Sequence, residues 1–148
     1  MPVRSAEKDI HKFLAAHPYL IDARFKGART ETEISAKGGR LDILIQKGRK
    51  HTIVELKKVA LDESAIVQLE DYVAMFADKF KLTSYHYLVG KSPKDIVRFK
   101  KRVALASFKI HIRLLGLQIP LSFAFDEQTR CYQGASPGSL GNPVSFIL

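Results

Sequence analysis

Residues 39–57 read GRLDILIQKGRKHTIVELK, and this stretch decides the fold. It contains two mostly apolar runs, residues 41–46 and residues 51–57, which are separated by the polar segment Lys47-Gly48-Arg49-Lys50. Short apolar runs of this kind are typical of strands that are buried on both faces, and a glycine-containing segment between them is typical of a tight turn. The stretch therefore predicts an antiparallel hairpin in the interior of a sheet.

Helices and strands are predicted on both sides of this hairpin from the spacing of apolar residues. In chain order the predicted elements are a helix over 6–17, a strand over 30–35, the two hairpin strands, a helix over 62–80, a strand over 84–90, a helix from Ser92-Pro93 to about Ala106 and a strand over 108–114. The last strand alternates strictly, which predicts a half-exposed strand with Lys109, His111 and Arg113 on its polar face. This order predicts an α/β fold with a mixed central sheet that is flanked by helices on both faces.

Length and composition predict one domain. The chain has 148 residues, of which 46% are hydrophobic, so it can bury one core but not two. We assign residues 1–133 to this domain and the Gly/Ser/Pro-rich residues 134–148 to a C-terminal tail that is loosely ordered or depends on a partner. The single cysteine, Cys131, cannot form an internal disulfide.

The charge of the chain indicates a polyanionic partner. Twenty-four Lys and Arg residues against fifteen Asp and Glu residues give a formal charge of +9, and such a surface binds nucleic acid by neutralising phosphates. A basic surface without such a partner is the alternative. No apolar run approaches the ~20 residues needed to cross a bilayer, and the N-terminus lacks the apolar stretch of a signal peptide. We therefore expect an intracellular, cytoplasmic protein with no membrane partner.

Two acidic residues interrupt the apolar hairpin strands. Asp42 lies in the first strand and Glu55 in the second, although an unpaired buried carboxylate costs several kcal/mol. The hairpin can bring the two carboxylates together, where they repel each other unless a proton or a hard cation such as Mg²⁺ lies between them. Lys57 projects from the same face as Glu55, where its side chain could orient an attacking water as the ammonium or deprotonate it as the neutral amine. A buried ion pair between Lys57 and one carboxylate is the alternative explanation.

The same residues resemble a known superfamily. Gly39-Arg40-Leu41-Asp42, followed thirteen positions after Asp42 by Glu55-Leu56-Lys57, resembles the PD-(D/E)XK nuclease superfamily. The local sequence looks most like the nuclease domains of NucS-type and RecB-like endonucleases. The resemblance covers about residues 5–90 and implies a restriction-endonuclease-like αβββαβ core. The proline of the superfamily's name is absent, because Leu41 precedes Asp42.

The resemblance also implies roles for individual residues. Asp42 and Glu55 would bind Mg²⁺ or Mn²⁺ together with the carbonyl group of Leu56, and Lys57 would be the catalytic lysine. Further active-site residues implied by the resemblance are Glu7, which would reach the metal from the first helix, and Gln68 and Tyr72, which would orient substrate or ligands. Considered alone, these three would be an exposed first-turn acid, an ordinary helix residue and a core aromatic.

Basic side chains near the predicted site and around the third predicted helix are candidates for contact with a nucleic-acid backbone. These candidates are Arg40, Lys91, Lys94, Arg98, Lys101 and Arg102. For the helix, the alternative is a solvated face without a partner. For Arg40, the alternative is an ion pair with Asp42.

Together, the residues and the resemblance predict a Mg²⁺-dependent endodeoxyribonuclease that acts in DNA repair, recombination or defence. RNA is a weaker candidate substrate. The alternative is a non-catalytic nucleic-acid-binding or assembly subunit that retains the nuclease fold. A homodimer would supply the two active sites that double-strand or junction cleavage needs. Its interface is assigned to four apolar residues near the C-terminus, which could equally complete the core: Ile119, Leu121, Phe123 and Phe125.

Overall fold

The computed structural model describes residues 7–36, 39–115, 124–126, 131–133 and 144–147, with side chains for residues 10–35 and 39–114. The residues assigned to a dimer interface fall outside this part of the chain or in a segment without described side chains. Ile119, Leu121 and Phe123 belong to the first group, and Phe125 belongs to the second. The homodimer therefore stays a prediction.

Helices and strands follow one another much as the apolar spacing predicts. They are α1 (Glu7–Ala16), β1 (Arg29–Ala36), β2 (Gly39–Lys47), β3 (Lys50–Ala60), α2 (Glu63–Phe76), β4 (Tyr85–Lys91), α3 (Ile96–Ala104), β5 (Lys109–Leu115), β6 (Ala124–Asp126), β7 (Cys131–Gln133) and β8 (Val144–Ile147). Two short 3-10 helices, Pro18–Leu20 and Ala23–Phe25, connect α1 to β1. Within the described residues, no helix combines the length and the apolar character that a membrane span requires.

The central sheet is mixed. Its strand order is β1-β2-β3-β4-β5-β8, and β6 and β7 pair with each other separately. The strands β3, β4 and β5 are parallel, whereas β1, β2 and β8 run antiparallel to their neighbours. The predicted α/β fold with a mixed central sheet is confirmed.

Helices cover both faces of the sheet, as predicted, and each face has its own apolar core. The residues that pack between the sheet and α1 with its following 3-10 helices include Leu14, Ile21, Phe25, Val54 and Tyr87. Those that pack between the sheet and the pair α2 and α3 include Leu69, Phe76, Leu88, Phe99 and Ile112. Burying these side chains removes apolar surface from water on both faces, so the sheet is the shared centre of both clusters.

The predicted hairpin closes with a two-residue turn. Lys47 pairs with Lys50 at the ends of β2 and β3, which leaves Gly48 and Arg49 as the turn. Gly48 has a φ of 65°, in the left-handed region that favours glycine. The Lys-Gly-Arg-Lys segment therefore sets the register of the two strands that carry Asp42 and Glu55.

The ends of two helices differ from the prediction. The helix α3 begins at Ile96 rather than at Ser92-Pro93, because the carboxylate of Asp95 accepts a hydrogen bond from the Arg98 N–H at 3.0 Å and caps the helix there. It ends at Ala104. The helix α2 ends at Phe76 rather than at residue 80, and a turn follows. Its N-cap is Asp62, whose carboxylate accepts a hydrogen bond from the Ala65 N–H at 3.1 Å.

The polar face of β5 is not wholly exposed. Lys109 is exposed and His111 is half-buried, but Arg113 is only 6% exposed. The Arg113 guanidinium donates to the carbonyl of Ile21 at 2.6 Å and to the carboxylate of Asp22 at 3.2 Å. The prediction of a solvent-facing Arg113 is therefore wrong, because Ile21 and Asp22, which lie between the two 3-10 helices, supply its hydrogen-bond acceptors.

The predicted C-terminal tail contains a strand. Val144–Ile147 forms β8, which pairs with β5 at the edge of the central sheet. At these four residues, a strand replaces the loosely ordered or partner-dependent segment that the Gly, Ser and Pro content predicts. The boundary between a domain of residues 1–133 and a tail of residues 134–148 stays a prediction.

A buried histidine in β4 makes the stability of the fold depend on pH. His86 is fully buried, its Nδ1 atom accepts a hydrogen bond from the Ile53 N–H at 3.0 Å, and burial lowers its pKa from 6.5 to about 4. Between these two pH values the unfolded chain binds a proton that the folded chain does not, so stability falls as the pH drops from 6.5 toward 4.

We expect the free energy of unfolding to fall by about 3 kcal/mol over that pH range because of this histidine alone. Urea unfolding at pH 7 and at pH 4.5 measures the loss. The variant His86→Asn keeps an acceptor near the Ile53 N–H and should show a clearly smaller loss. An equal loss in the parent and the variant would assign the effect to other groups.

Candidate active site

The two central hairpin strands part at the position of the predicted active site. Main-chain pairing between β2 and β3 runs from the turn as far as Ile43 and Val54. Beyond this point β2 stays paired with β1 as far as Gly39, and β3 stays paired with β4 as far as Leu56 and further along the strand. Each strand is held by its outer neighbour, so the sheet opens between them.

In this gap, side-chain carboxylates take the place of main-chain carbonyls as hydrogen-bond acceptors for the main-chain N–H groups. The N–H of Asp42 donates to Glu55 Oε1 at 3.2 Å, and the N–H of Leu56 donates to Asp42 Oδ2 at 2.8 Å. The exchange is reciprocal, since each strand offers an N–H to the acidic side chain of the other. Asp42 and Glu55 thus meet between the strands, as the sequence predicts.

The two carboxylates lie in an environment that disfavours two negative charges. Glu55 is 1% exposed, and the side chain of Asp42 is 17% exposed. Burial, followed by the charge of Asp42, raises the pKa of the Glu55 carboxyl well above its ordinary value of 4.5. Hydrogen bonding between the two carboxyl groups acts in the same direction. The pair therefore retains a proton at neutral pH unless a cation takes its place.

Lys57 belongs to a chain of polar contacts that leads to α2. Its Nζ atom donates to Gln68 Oε1 at 2.6 Å, and Gln68 Nε2 donates to the hydroxyl oxygen of Tyr72 at 3.3 Å. Among the described residues, Lys57 contacts this amide and forms no ion pair with Glu55. The structure thus brings Lys57, Gln68 and Tyr72 together beside the carboxylates, and the amide of Gln68 fixes the direction of the lysine.

The start of β2 packs closely against Tyr72. A Cβ atom added at Gly39 would lie 2.5 Å from the Tyr72 hydroxyl oxygen, a distance that no side chain tolerates without movement. Tyr72 itself is buried. Glycine at position 39 therefore lets the strand carrying Asp42 approach the helix carrying Gln68.

His11 is a part of this site that our sequence analysis missed. It is buried in α1, and its Nε2 atom lies 3.4 Å from Asp42 Oδ1. Neither ring nitrogen has a hydrogen-bond partner among the described residues. The available signal is its spacing, because His11 lies three residues before the core residue Leu14 and so shares the inward face of the helix.

The strand β1 is strained opposite Asp42. Glu33 lies between Thr32, which pairs with Ile43, and Ile34, which pairs with Leu41. It has a φ of 52°, a value that residues other than glycine seldom adopt. Its Oε1 atom lies 3.5 Å from Arg40 Nη1, so Arg40 forms an ion pair with Glu33.

Two of the arginines predicted to bind nucleic acid form ion pairs that connect α3 to α2, and their contact with nucleic acid stays a prediction. Arg98 pairs with Glu63 at 2.7 Å, and Arg102 makes a two-point contact with Glu70. The lysines of the same set, Lys91, Lys94 and Lys101, are exposed. Glu7 is the first residue of α1, but its side chain lies outside the described part of the chain.

The donor set fits a hard divalent cation. Asp42 and Glu55 supply carboxylate oxygens, the ligands that Mg²⁺ and Mn²⁺ prefer. Across the side chains that the structure describes, no three His, Cys, Asp or Glu residues converge as ligands. The remaining coordination positions would therefore be filled by main-chain carbonyl, water or substrate oxygens, which is usual for Mg²⁺.

Comparison with known proteins identifies the family of the chain and a solved structure of similar fold. The family model of the endonuclease NucS C-terminal domain matches residues 6–102. The fold is similar to the crystal structure of a repair endonuclease from Pyrococcus abyssi, with a TM-score of 0.57 and 18% sequence identity over 74% of this chain and 47% of that chain. The chain thus spans about half the length of that endonuclease. No curated protein sequence matches it. The predicted resemblance to NucS-type domains is confirmed, and the chain belongs to the endonuclease NucS C-terminal domain family.

Proposed function

We propose that this chain is a metal-dependent nuclease of the PD-(D/E)XK type that hydrolyses phosphodiester bonds of DNA as an endonuclease. The observation that carries the proposal is the pair of carboxylates in the gap between β2 and β3, with Lys57 beside them. A domain that only binds nucleic acid has no need of a buried Glu55, whose raised pKa reports the cost of its charge. Family membership supports the same function.

Asp42 and Glu55 would hold a Mg²⁺ or Mn²⁺ ion. The carbonyl of Leu56 is the main-chain candidate for a third ligand, because the Leu56 N–H donates to Asp42 and a strand residue directs its N–H and carbonyl to the same side. When bound, the cation would polarise the phosphate and lower the pKa of a water ligand. His11, at 3.4 Å from Asp42 Oδ1, would fix the orientation of that carboxylate.

Lys57 would act on the nucleophile and the phosphate. Its ammonium group can donate hydrogen bonds to an attacking water and to a non-bridging phosphate oxygen, and its charge stabilises negative charge that develops in the transition state. Gln68 accepts one of its hydrogen bonds at 2.6 Å and so limits the rotamers that the long side chain can adopt. Tyr72 would in turn orient Gln68, through the 3.3 Å contact.

The substrate class follows from charge and family. The formal charge of +9 favours a nucleic acid, and the similarity to a repair endonuclease favours DNA over RNA. Work on DNA, in repair, recombination or defence, would take place inside the cell.

Cleavage of labelled substrates tests this function. Linear duplex, single-stranded and branched DNA, with RNA of matched sequence, are incubated with Mg²⁺, with Mn²⁺ or with EDTA. We expect DNA to be cut when either metal is present and to remain intact in EDTA. Tight binding without cleavage under every metal would instead favour the non-catalytic binding subunit.

A further inference from the structure

Three segments far apart in sequence meet at the end of the sheet that lies away from Asp42. The β2–β3 turn carries Lys47, whose Nζ atom donates to the carbonyl of Lys26 at 2.5 Å. On the other side, the N–H of His51 donates to the carbonyl of Lys81 at 2.8 Å. The hairpin turn therefore lies between residues 26–29 and residues 78–81.

These segments form a dense patch of positive charge, which we call the basic end. Its members are Lys26, Arg29, Lys47, Arg49, Lys50, Lys79 and Lys81, and all seven are exposed. The three segments contain one acidic residue, Asp78. Within the described chain, none of the seven forms an ion pair, whereas Arg98 and Arg102 of α3 are both held by glutamates. The charge of the basic end is therefore available to a partner.

The distance from the basic end to the candidate active site suits a nucleic-acid backbone. Asp42 and Lys47 are five residues apart on β2, which corresponds to about 17 Å along a strand. Phosphates of one DNA strand follow one another at about 3.4 Å along the helix axis. A duplex whose axis lies along the hairpin would thus pass the basic end about five base pairs away from Asp42.

We propose that the basic end is a second nucleic-acid contact, which holds the phosphate backbone of a duplex about five base pairs from the bond to be cut without reading sequence. This inference rests on the proposed function, since it takes its partner from the proposed substrate. It differs from the sequence-based prediction, which places the backbone contact around α3. The basic end becomes visible only when the fold brings its three segments together.

The salt dependence of binding tests the proposal. Binding to a labelled 20-base-pair duplex is measured by fluorescence anisotropy in EDTA from 50 to 300 mM NaCl, so that no cleavage occurs. The plot of log K against log salt has a negative slope. The double variant Arg49→Gln with Lys50→Gln should lower the magnitude of this slope by about 2, because each lost phosphate contact removes about 0.9. The control Lys12→Gln with Lys58→Gln removes the same charge from two other exposed positions and should leave the slope within about 0.5 of the parent.

A second pair, Lys79→Gln with Lys81→Gln, guards against a local folding defect in the turn. A slope lowered in both basic-end variants, with unfolding temperatures close to that of the parent, supports the proposal. Equal slopes in the basic-end variants and the control overturn it and leave the nuclease function untouched. Absence of nucleic-acid binding by the parent overturns both, whereas lowered slopes without metal-dependent cleavage overturn the nuclease function alone.

Discussion

The variant Lys57→Ala is expected to cleave DNA at least about a hundredfold more slowly than the parent, with its fold intact. Removing one positioned donor or general base from an active site costs about 10²- to 10⁴-fold in rate. The change removes one hydrogen bond, to Gln68, from a half-buried side chain. The unfolding free energy should therefore fall by no more than about 1 kcal/mol.

The neighbouring lysine supplies a matched control for this experiment. Lys58 is exposed, and its place in the strand directs it to the opposite face from Lys57. Lys58→Ala removes the same charge one residue away and should change the cleavage rate less than threefold. Single-turnover rates for both variants, together with their thermal unfolding, separate catalysis from stability. Comparable losses in the two variants would argue against a specific role for Lys57.

The variant Glu55→Gln is expected to keep or raise the stability of the protein while it lowers the rate of cleavage. The folded chain binds a proton at Glu55 that the unfolded chain releases above pH 4.5, so the stability of the parent falls as the pH rises above that value toward the raised pKa. The amide of glutamine carries no charge and keeps an acceptor for the Asp42 N–H. In EDTA at pH 8, Glu55→Gln should therefore unfold at a temperature equal to or above that of the parent.

The same variant should lose cleavage by about a thousandfold, because it removes one of two carboxylate ligands. It should also lose most of the rise in unfolding temperature that Mn²⁺ gives the parent, since only a cation that binds the folded state stabilises it. Glu31→Gln is the control, because Glu31 is exposed on β1. A less stable Glu55→Gln variant with an unchanged response to Mn²⁺ would contradict the role assigned to Glu55.

The sequence predicts the features of this site that depend on local periodicity. Glu55 and Lys57 are two residues apart in a strand, so their common face follows from strand geometry alone. The hairpin turn brings Asp42 opposite Glu55 because its length fixes the register. The mixed sheet and its helical layers likewise follow from the order of the helices and strands and from the spacing of their apolar residues.

The features that the sequence did not reveal depend on contacts between distant segments. His11 reaches Asp42 across 31 residues, from a helix to a strand, and no spacing rule links the two. Arg113 is buried because residues 21 and 22 supply its acceptors, although strict alternation assigns it to solvent. The basic end is assembled from three segments, each of which would be an ordinary polar loop by itself.

The start of α3 shows a competition between two local signals. Ser92-Pro93 has the cap-then-proline pattern that often begins a helix. Asp95 offers a carboxylate two residues later, and its hydrogen bond to the Arg98 N–H at 3.0 Å decides where the helix begins. The two arginines on this helix then pair with glutamates of α2, which a linear reading of basic residues could not show.

Binding of Mn²⁺ to the purified protein in the absence of DNA tests the central claim most directly. Electron paramagnetic resonance of a Mn²⁺ titration counts the ions bound, and the parent is compared with Asp42→Asn and with the exposed control Glu31→Gln. We predict that the parent and the control bind Mn²⁺ and that Asp42→Asn loses at least about tenfold in affinity. Equal binding by all three proteins would show that the gap between β2 and β3 is not the metal site.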